Sequence, residues 1–379
     1  MSLFFRGCKD DLSVPDPSRE DVVRIEIQSE KTDLWIGDTL QLFAKLYTAS
    51  GDTVTGRTPI WYGSPADLLE VSETGMIRAF KSGEATVTVS FENISSEITI
   101  QVYTYDLVFE SLAGEFGQPS IYRLVLNDPY AIPVQLQGLQ PIAYEPAVSP
   151  DGTSLVYTAL DAAAYNVDLY LYRLLDGTNI RLTFSDDVDD MATWSPDQKK
   201  LAFRREITRG GDIMIYNFED QTVTNLTDVP GVFIEDRQPA WSPDGTQIVY
   251  SSSESGRMNI WLMNSDGSGK RQLRFTEMYD TEATWSTDGK KIIYRTNYAG
   301  GSDFTVYNTE TEEFERLEIP GYEFMPAWSP DGRWIAMVRR ENLQDRPEIF
   351  LMRPDGTELK RITKEEWSGG QNPAFLRSQ

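Results

Sequence analysis

Carboxylates recur at one phase of this sequence. Asp189, Asp236, Asp280 and Glu323 stand at matching points of successive repeats, and two residues on, at the next matching position, come Glu145, Met191, Gln238, Glu282, Met325 and Asn372. Gathered by rotational symmetry, such acids would hold a cation or accept basic side chains of a peptide. An Asp at the start of a strand can equally serve only to bond nearby backbone N–H groups. For Glu145 and Glu282 the reading is channel lining. A carboxylate pair would also suffice to hydrolyse a glycoside. No histidine occurs in 379 residues, which excludes Ser-His-Asp and Cys-His catalysis and His-ligated zinc. The densest acidic stretch, Ser185 to Asp190, has the oxygen density of a Ca²⁺ loop but not the spacing of an EF-hand, so a solvated loop is the simpler reading. The expectation is a protein without enzymatic activity, without a cofactor, and with Ca²⁺ as its one candidate ion.

The elements that position these residues follow from a repeated phrase. Pro146-Ala-Val-Ser-Pro-Asp-Gly152 returns as variants whose fifth residues are Pro150, Pro196, Pro243, Thr287 and Pro330, so the period is 46, 47, 44 and 43 residues. A period in the forties with strand-like text between copies is the mark of a β-propeller. After each Ser-Pro-Asp-Gly turn comes an apolar run such as Gln247–Tyr250, then a second such as Asn259–Met263, then an Asp-Gly turn and a strand ending in Leu-Thr or Ile-Thr. Asp-Gly supplies positive φ for tight antiparallel hairpins. Each repeat is therefore a four-stranded blade, A to D from the Pro-Ala-Trp strand onward. Tyr105–Phe109, Ser120–Val125 and Pro133–Leu136 read as strands B, C and D of an incomplete blade. Asn372–Arg377 reads as its missing strand A, which closes a ring of six.

These residues resemble the repeats of the TolB-type propeller family over about residues 104–379. The resemblance implies the fold and a periplasmic interaction role, and leaves the partner open. Trp194, Trp241, Trp285 and Trp328 recur at one blade position and read as packing between blades. Tyr144, Tyr279, Phe324 and Trp367, in the loops of the carboxylate face, are the candidate aromatic platforms.

Residues 22–103 alternate apolar and polar positions in Val23–Ile27, Leu40–Leu46, Gly75–Phe80, Ala85–Val89 and Ser96–Val102, the pattern of a β-sandwich. Gly37-Asp-Thr-Leu-Gln-Leu, Trp61, Val71–Gly75 and Gly83–Val89 resemble bacterial immunoglobulin-like domains of the kind found in intimins, which implies a spacer. Residues 1–21 read as a tether. Within it Gly7-Cys8 after apolar residues resembles a lipoprotein processing box, and the following Lys-Asp-Asp a surface-export signal, so Cys8 is the expected lipidation site.

The formal charge of −24, from 35 basic and 59 acidic residues, repels phosphate backbones and argues against nucleic acid. No apolar run is long enough to span a bilayer, so membrane attachment rests on Cys8. The expectation is an all-β, monomeric binding protein of the periplasm or cell surface. It would take a protein or peptide partner at an acidic channel mouth built from Glu145, Asp189, Asp236, Gln238, Asp280, Glu282, Glu323 and Asn372. The alternative is a carbohydrate-binding or carboxylate-based carbohydrate-active protein, with a glycan as ligand.

Overall fold

The computed structural model describes residues 21–378 apart from 114–116, 127–130, 162–165, 209, 230, 299–300 and 364–368, so Cys8, most of the tether and Trp367 lie outside the described residues. All regular structure among the described residues is β. The chain divides into two compact units, one through Thr104 and one from Tyr105 to Ser378.

The first unit holds β1 (Arg24–Gln28), β2 (Asp33–Trp35), β3 (Thr39–Gln41), β4 (Phe43–Tyr47), β5 (Thr53–Val54), β6 (Ile60–Ser64), β7 (Leu69–Val71), β8 (Met76–Ala79), β9 (Gly83–Phe91) and the first part of β10 (Ile94–Ser111). β1-β4-β5 and β3-β8-β7 are three-stranded sheets, while β9 lies between β6 and β10. Leu34, Leu42, Ile77, Val87 and Ile100 from these sheets form a shared core. The expected single strand Leu40–Leu46 is two strands. At fully buried Leu42 the backbone N–H bonds to Gly75 O at 2.9 Å, and the chain leaves β8 for β1. Alternation alone does not reveal a strand that changes sheets.

The second unit is a β-propeller. β10 continues through Asp106–Ser111 to pair with β11 (Ser120–Val125), which pairs with β12 (Val134–Gln135). The second blade is β13 (Ala143–Val148), β14 (Ser154–Asp161), β15 (Asn166–Arg173) and β16 (Asn179–Arg181). The third is β17 (Val188–Trp194), β18 (Lys200–Ile207), β19 (Gly210–Asn217) and β20 (Val223–Asn225). The fourth is β21 (Ile234–Trp241), β22 (Gln247–Ser252), β23 (Asn259–Asn264) and β24 (Arg271–Gln272). The fifth is β25 (Tyr279–Trp285), β26 (Lys291–Tyr298), β27 (Gly301–Asn308) and β28 (Phe314–Leu317). The sixth is β29 (Tyr322–Trp328), β30 (Ile335–Arg340), β31 (Glu348–Met352) and β32 (Lys360–Arg361). β33 (Gln371–Ser378) pairs with β10 and supplies strand A of the first blade.

Apolar clusters lie between neighbouring blades. One joins Val156 and Leu169 of the second to Leu201 and Phe203 of the third, and another joins Ile260 and Leu262 of the fourth to Trp285 and Ile292 of the fifth. The repeated tryptophans belong to these contacts, and Trp194 Nε1 also donates to Ala147 O of the preceding blade at 3.0 Å. One glycine fixes a blade junction. At Gly210 (φ +121°) an added Cβ would come within 1.9 Å of Ile234 O, where β19 and β21 run parallel and in contact.

Candidate functional site

The innermost strand of each blade is broken at the same point. In β13, β17, β21, β25 and β29 the pairing register shifts between Tyr144 and Ala147, Asp190 and Thr193, Arg237 and Ala240, Thr281 and Thr284, and Phe324 and Ala327, a β-bulge. Where Pro follows, it has no N–H to donate to the ladder, which favours the bulge. The residue at the break adopts left-handed φ in all six blades: Glu145 51°, Met191 54°, Gln238 54°, Glu282 61°, Met325 52° and Asn372 48°. All six line one cavity of about 600 Å³, the central channel, together with the Pro-Ala-Trp residues below them.

This conformation turns the N–H of four ring residues towards the ring side chain of the preceding blade. Met191 N donates to Glu145 Oε2 (3.1 Å), Glu282 N to Gln238 Oε1 (3.1 Å), Met325 N to Glu282 Oε2 (2.6 Å) and Asn372 N to Met325 Sδ (3.4 Å). At the seam Asn372 is too short to continue the series. Glu110, on strand B of the same blade, takes over: its Oε2 accepts Glu145 N (3.4 Å) and is held by Asn372 Nδ2 (2.7 Å). The ring residues thus line the channel and also fasten one blade to the next.

The outer acids require a correction. Asp189, Asp236, Asp280 and Glu323 are buried inside their blades and do not line the channel. The bulge is the physical reason, because it breaks the alternation that would have put residues two apart on one face. Each acid meets a partner from strand B. Asp189 is bonded by Arg205 (2.7 and 2.9 Å), Asp236 by Ser252, Asp280 by Thr296, and Glu323 stands 3.5 Å from Arg339. Burial, with the nearby Asp303 charge, pushes the Glu323 carboxyl up to about 8, and burial pushes Asp236 up to about 6. Asp190 and Asp189, from the dense acidic stretch, are both taken by arginines, Arg204 and Arg205. Among the described residues no group of three or more acidic or thiol ligands is arranged to hold a metal.

The acidic part of the mouth lies on blades one to three. Glu145 accepts Thr158 Oγ1 at 3.0 Å, and its carboxyl is pushed up to about 7 by burial and by the Asp190 charge. Burial also raises Glu110, offset in part by its bond from Asn372. Arg204 is the counterion here, reaching Asp190 (2.7 Å), Glu235 (3.0 Å) and Glu206 (3.1 Å). On the fifth blade Arg295 bonds Glu282 at 3.2 Å. Sequence reasoning missed Glu110, Arg204 and Arg295. The signal was present, since Phe203-Arg204 and Tyr294-Arg295 each place an arginine at the end of the same strand B apolar run.

Around this mouth the D–A connections carry exposed apolar side chains. Phe184 (74% exposed), Phe233 (71%) and Phe275 (59%) enter blades three, four and five, with Val232, Met278 and Tyr279 beside them. Of the candidate platforms, Tyr279 is held by Arg237 Nη2 at 2.8 Å, Phe324 lies under Arg295 at 4.2 Å, and Tyr144 is half-buried. The opposite face is satisfied internally. In its turns Ser149, Ser195, Ser242, Ser286 and Ser329 donate to Asp151, Asp197, Asp244, Asp288 and Asp331 at 2.6–2.7 Å.

No family model matches the sequence. A crystal structure of TolB from Acinetobacter baumannii is similar over 85% of this chain and 83% of that one, with a TM-score of 0.62 and 18% identity. The Tol-Pal system protein TolB of Anaeromyxobacter dehalogenans is 28% identical over 100 residues, 26% of this chain and 22% of that protein. The uncharacterized peptidase YuxL of Bacillus subtilis is 25% identical over 221 residues, 55% of this chain but 32% of the peptidase. The matched part of this chain thus spans about a third or less of either curated relative. A puromycin hydrolase structure is also similar, with a TM-score of 0.50 and 13% identity, over 88% of this chain and 53% of that one. The fold is that of a TolB-like β-propeller. The expectation of a protein without enzymatic activity is corrected by these findings: the relatives include a peptidase, and the same architecture occurs within hydrolases, so the propeller does not separate binding proteins from enzymes.

Proposed function

We propose that this chain is a cell-envelope interaction propeller that binds a protein or peptide segment across the channel mouth. The observation that carries this reading is the recurrence of Phe184, Phe233 and Phe275, all exposed, in the D–A loops of three successive blades. Exposed aromatics gathered on one face mark interaction surfaces. The opposite face is built of turns whose polar groups bond one another. The TolB relatives support a periplasmic setting. Cys8 as a lipid anchor and the first unit as a spacer complete the proposal, through their motif resemblances.

The test is capture from envelope extract by the full chain. Replacing Phe184, Phe233 and Phe275 together by Ser should lower recovery of specifically captured proteins by about tenfold or more, since exposed anchors of this type carry a large share of binding energy. Lys290→Glu, on the opposite face and paired there with Glu310, should leave recovery unchanged. Loss of capture with Lys290→Glu but not with the phenylalanine changes would place the surface on the wrong side of the disc.

A further inference from the structure

The net charge of −24 hides a basic sector at the mouth. Arg204 and Arg295 occupy equivalent positions on strand B of blades three and five. Arg204 pairs across its hairpin with Asp190 and gives it two bonds, of 2.8 and 2.7 Å. Arg295 pairs instead with Thr281, which has no charge to offer. Its guanidinium makes one bond, to Glu282, and lies 4.2 Å from the Phe324 ring centroid, while its buried Nε meets no acceptor. Arg340 of the sixth blade stands 5.8 Å from the same ring centroid. It donates to Leu343 O at 3.3 Å, and its buried Nε is likewise unmet. Arg340 also lines a groove of about 980 Å³ whose four arginines, Arg340 with Arg339, Arg346 and Arg361, outnumber its three acids, Glu341, Asp345 and Glu348, the last paired with Arg361 at 2.9 Å.

Two guanidinium groups beside one aromatic ring repel each other unless an anion lies between them. A carboxylate supplies that anion, because the planar guanidinium fork matches its two oxygens. We propose that Arg295, Phe324 and Arg340 form a carboxylate subsite at the channel mouth, which takes a C-terminal carboxylate or an acidic side chain of the bound segment. This rests on the peptide-binding reading above and sharpens it. Six-fold placement sets blade two opposite blade five and blade three opposite blade six, so the subsite faces Glu145 of the second blade across the axis. The preferred ligand is therefore dipolar, with its cationic group towards Glu145 on blade two and its carboxylate towards blades five and six. An acidic mouth alone, the expectation from the sequence, would favour only a basic partner.

Three tripeptides test this by calorimetry on the full chain: N-acetyl trialanine with a free carboxylate, the same peptide amidated, and an amidated peptide with a central aspartate. At least one acidic probe should bind about tenfold more tightly than the neutral amide, and the preference should shrink with salt. Preference for the free terminus identifies a C-terminus as the source, preference for the aspartate probe a side chain, and preference for both a general carboxylate site. Arg295→Gln with Arg340→Gln should abolish the preference, and Arg340→Gln alone should reduce it if the double variant does not fold. Arg24→Gln in the first unit should not change it. Equal binding of all three probes, no binding of any, or a preference that survives the arginine changes in folded protein would overturn the subsite. Envelope capture that still depends on the three phenylalanines would then leave the interaction reading standing. Capture indifferent to them would remove that reading whatever the probes do.

Discussion

Deletion of residues 371–379 is expected to abolish cooperative unfolding of the propeller or to lower its midpoint by more than about 10 °C. Among the described residues β33 is the only strand A available to the first blade, and it serves both sides of the seam. Phe375 packs into the cluster shared with Ala336, Ile349 and Leu351 of the sixth blade, and Leu376 into the one shared with Leu155, Tyr157 and Tyr170 of the second. Burial of each contributes about 1.5–3 kcal/mol, and the deletion also bares the β10 edge and removes the Asn372–Glu110 fastening. A domain's whole stability is commonly about 5–15 kcal/mol, so these losses together are decisive. Phe375→Ala isolates one part and should cost about 3–5 kcal/mol. Thermal unfolding monitored by tryptophan fluorescence checks both, and a truncated chain with the parent midpoint would contradict the closed ring.

Arg204→Met is expected to cost about 3–5 kcal/mol at pH 8, because it leaves Asp190 buried without its counterion beside Glu145 and Glu235. The loss should be smaller at pH 5. Without the arginine the carboxyl of Asp190 moves further above its ordinary range, so the folded variant holds a proton that the unfolded chain releases. Its stability then falls as pH rises from about 4 towards 8, and the gap to the parent widens. Denaturant unfolding at the two pH values measures this. An equal loss at both would mean that Arg204 acts through packing alone.

The blade count and the ring closure were legible because both are statements about period, and a period survives substitution of individual residues. Glu145 and Glu282 line the channel as their positions implied, whereas the burial of Asp189, Asp236, Asp280 and Glu323 away from it was not legible. Asp189 and Met191 are two apart, and regular alternation would put them on one face. The left-handed residue and bulge at Met191 break that rule, and a sequence gives no φ for Met, Glu or Gln as it does for Gly. Glu110 was hidden for another reason: it replaces Asn372 in the ring from 262 residues away in sequence. The basic sector was hidden by the net charge, because a sum over the chain does not say where arginines converge. In the first unit the short strands β2, β5 and β7 lacked the length to show alternation, although Leu34 and Leu69 in them are fully buried.

The central claim, that the mouth face receives a partner, is tested most directly by a photo-reactive phenylalanine analogue placed in the full chain in its native envelope. It would stand at Phe233 on the mouth face and, separately, at Thr309 in the turns of the opposite face. Adducts that form from position 233, that carry the partner's peptide, and that disappear with Phe184→Ser and Phe275→Ser are the predicted result. Adducts from position 309 alone, or equally from both positions, would contradict it.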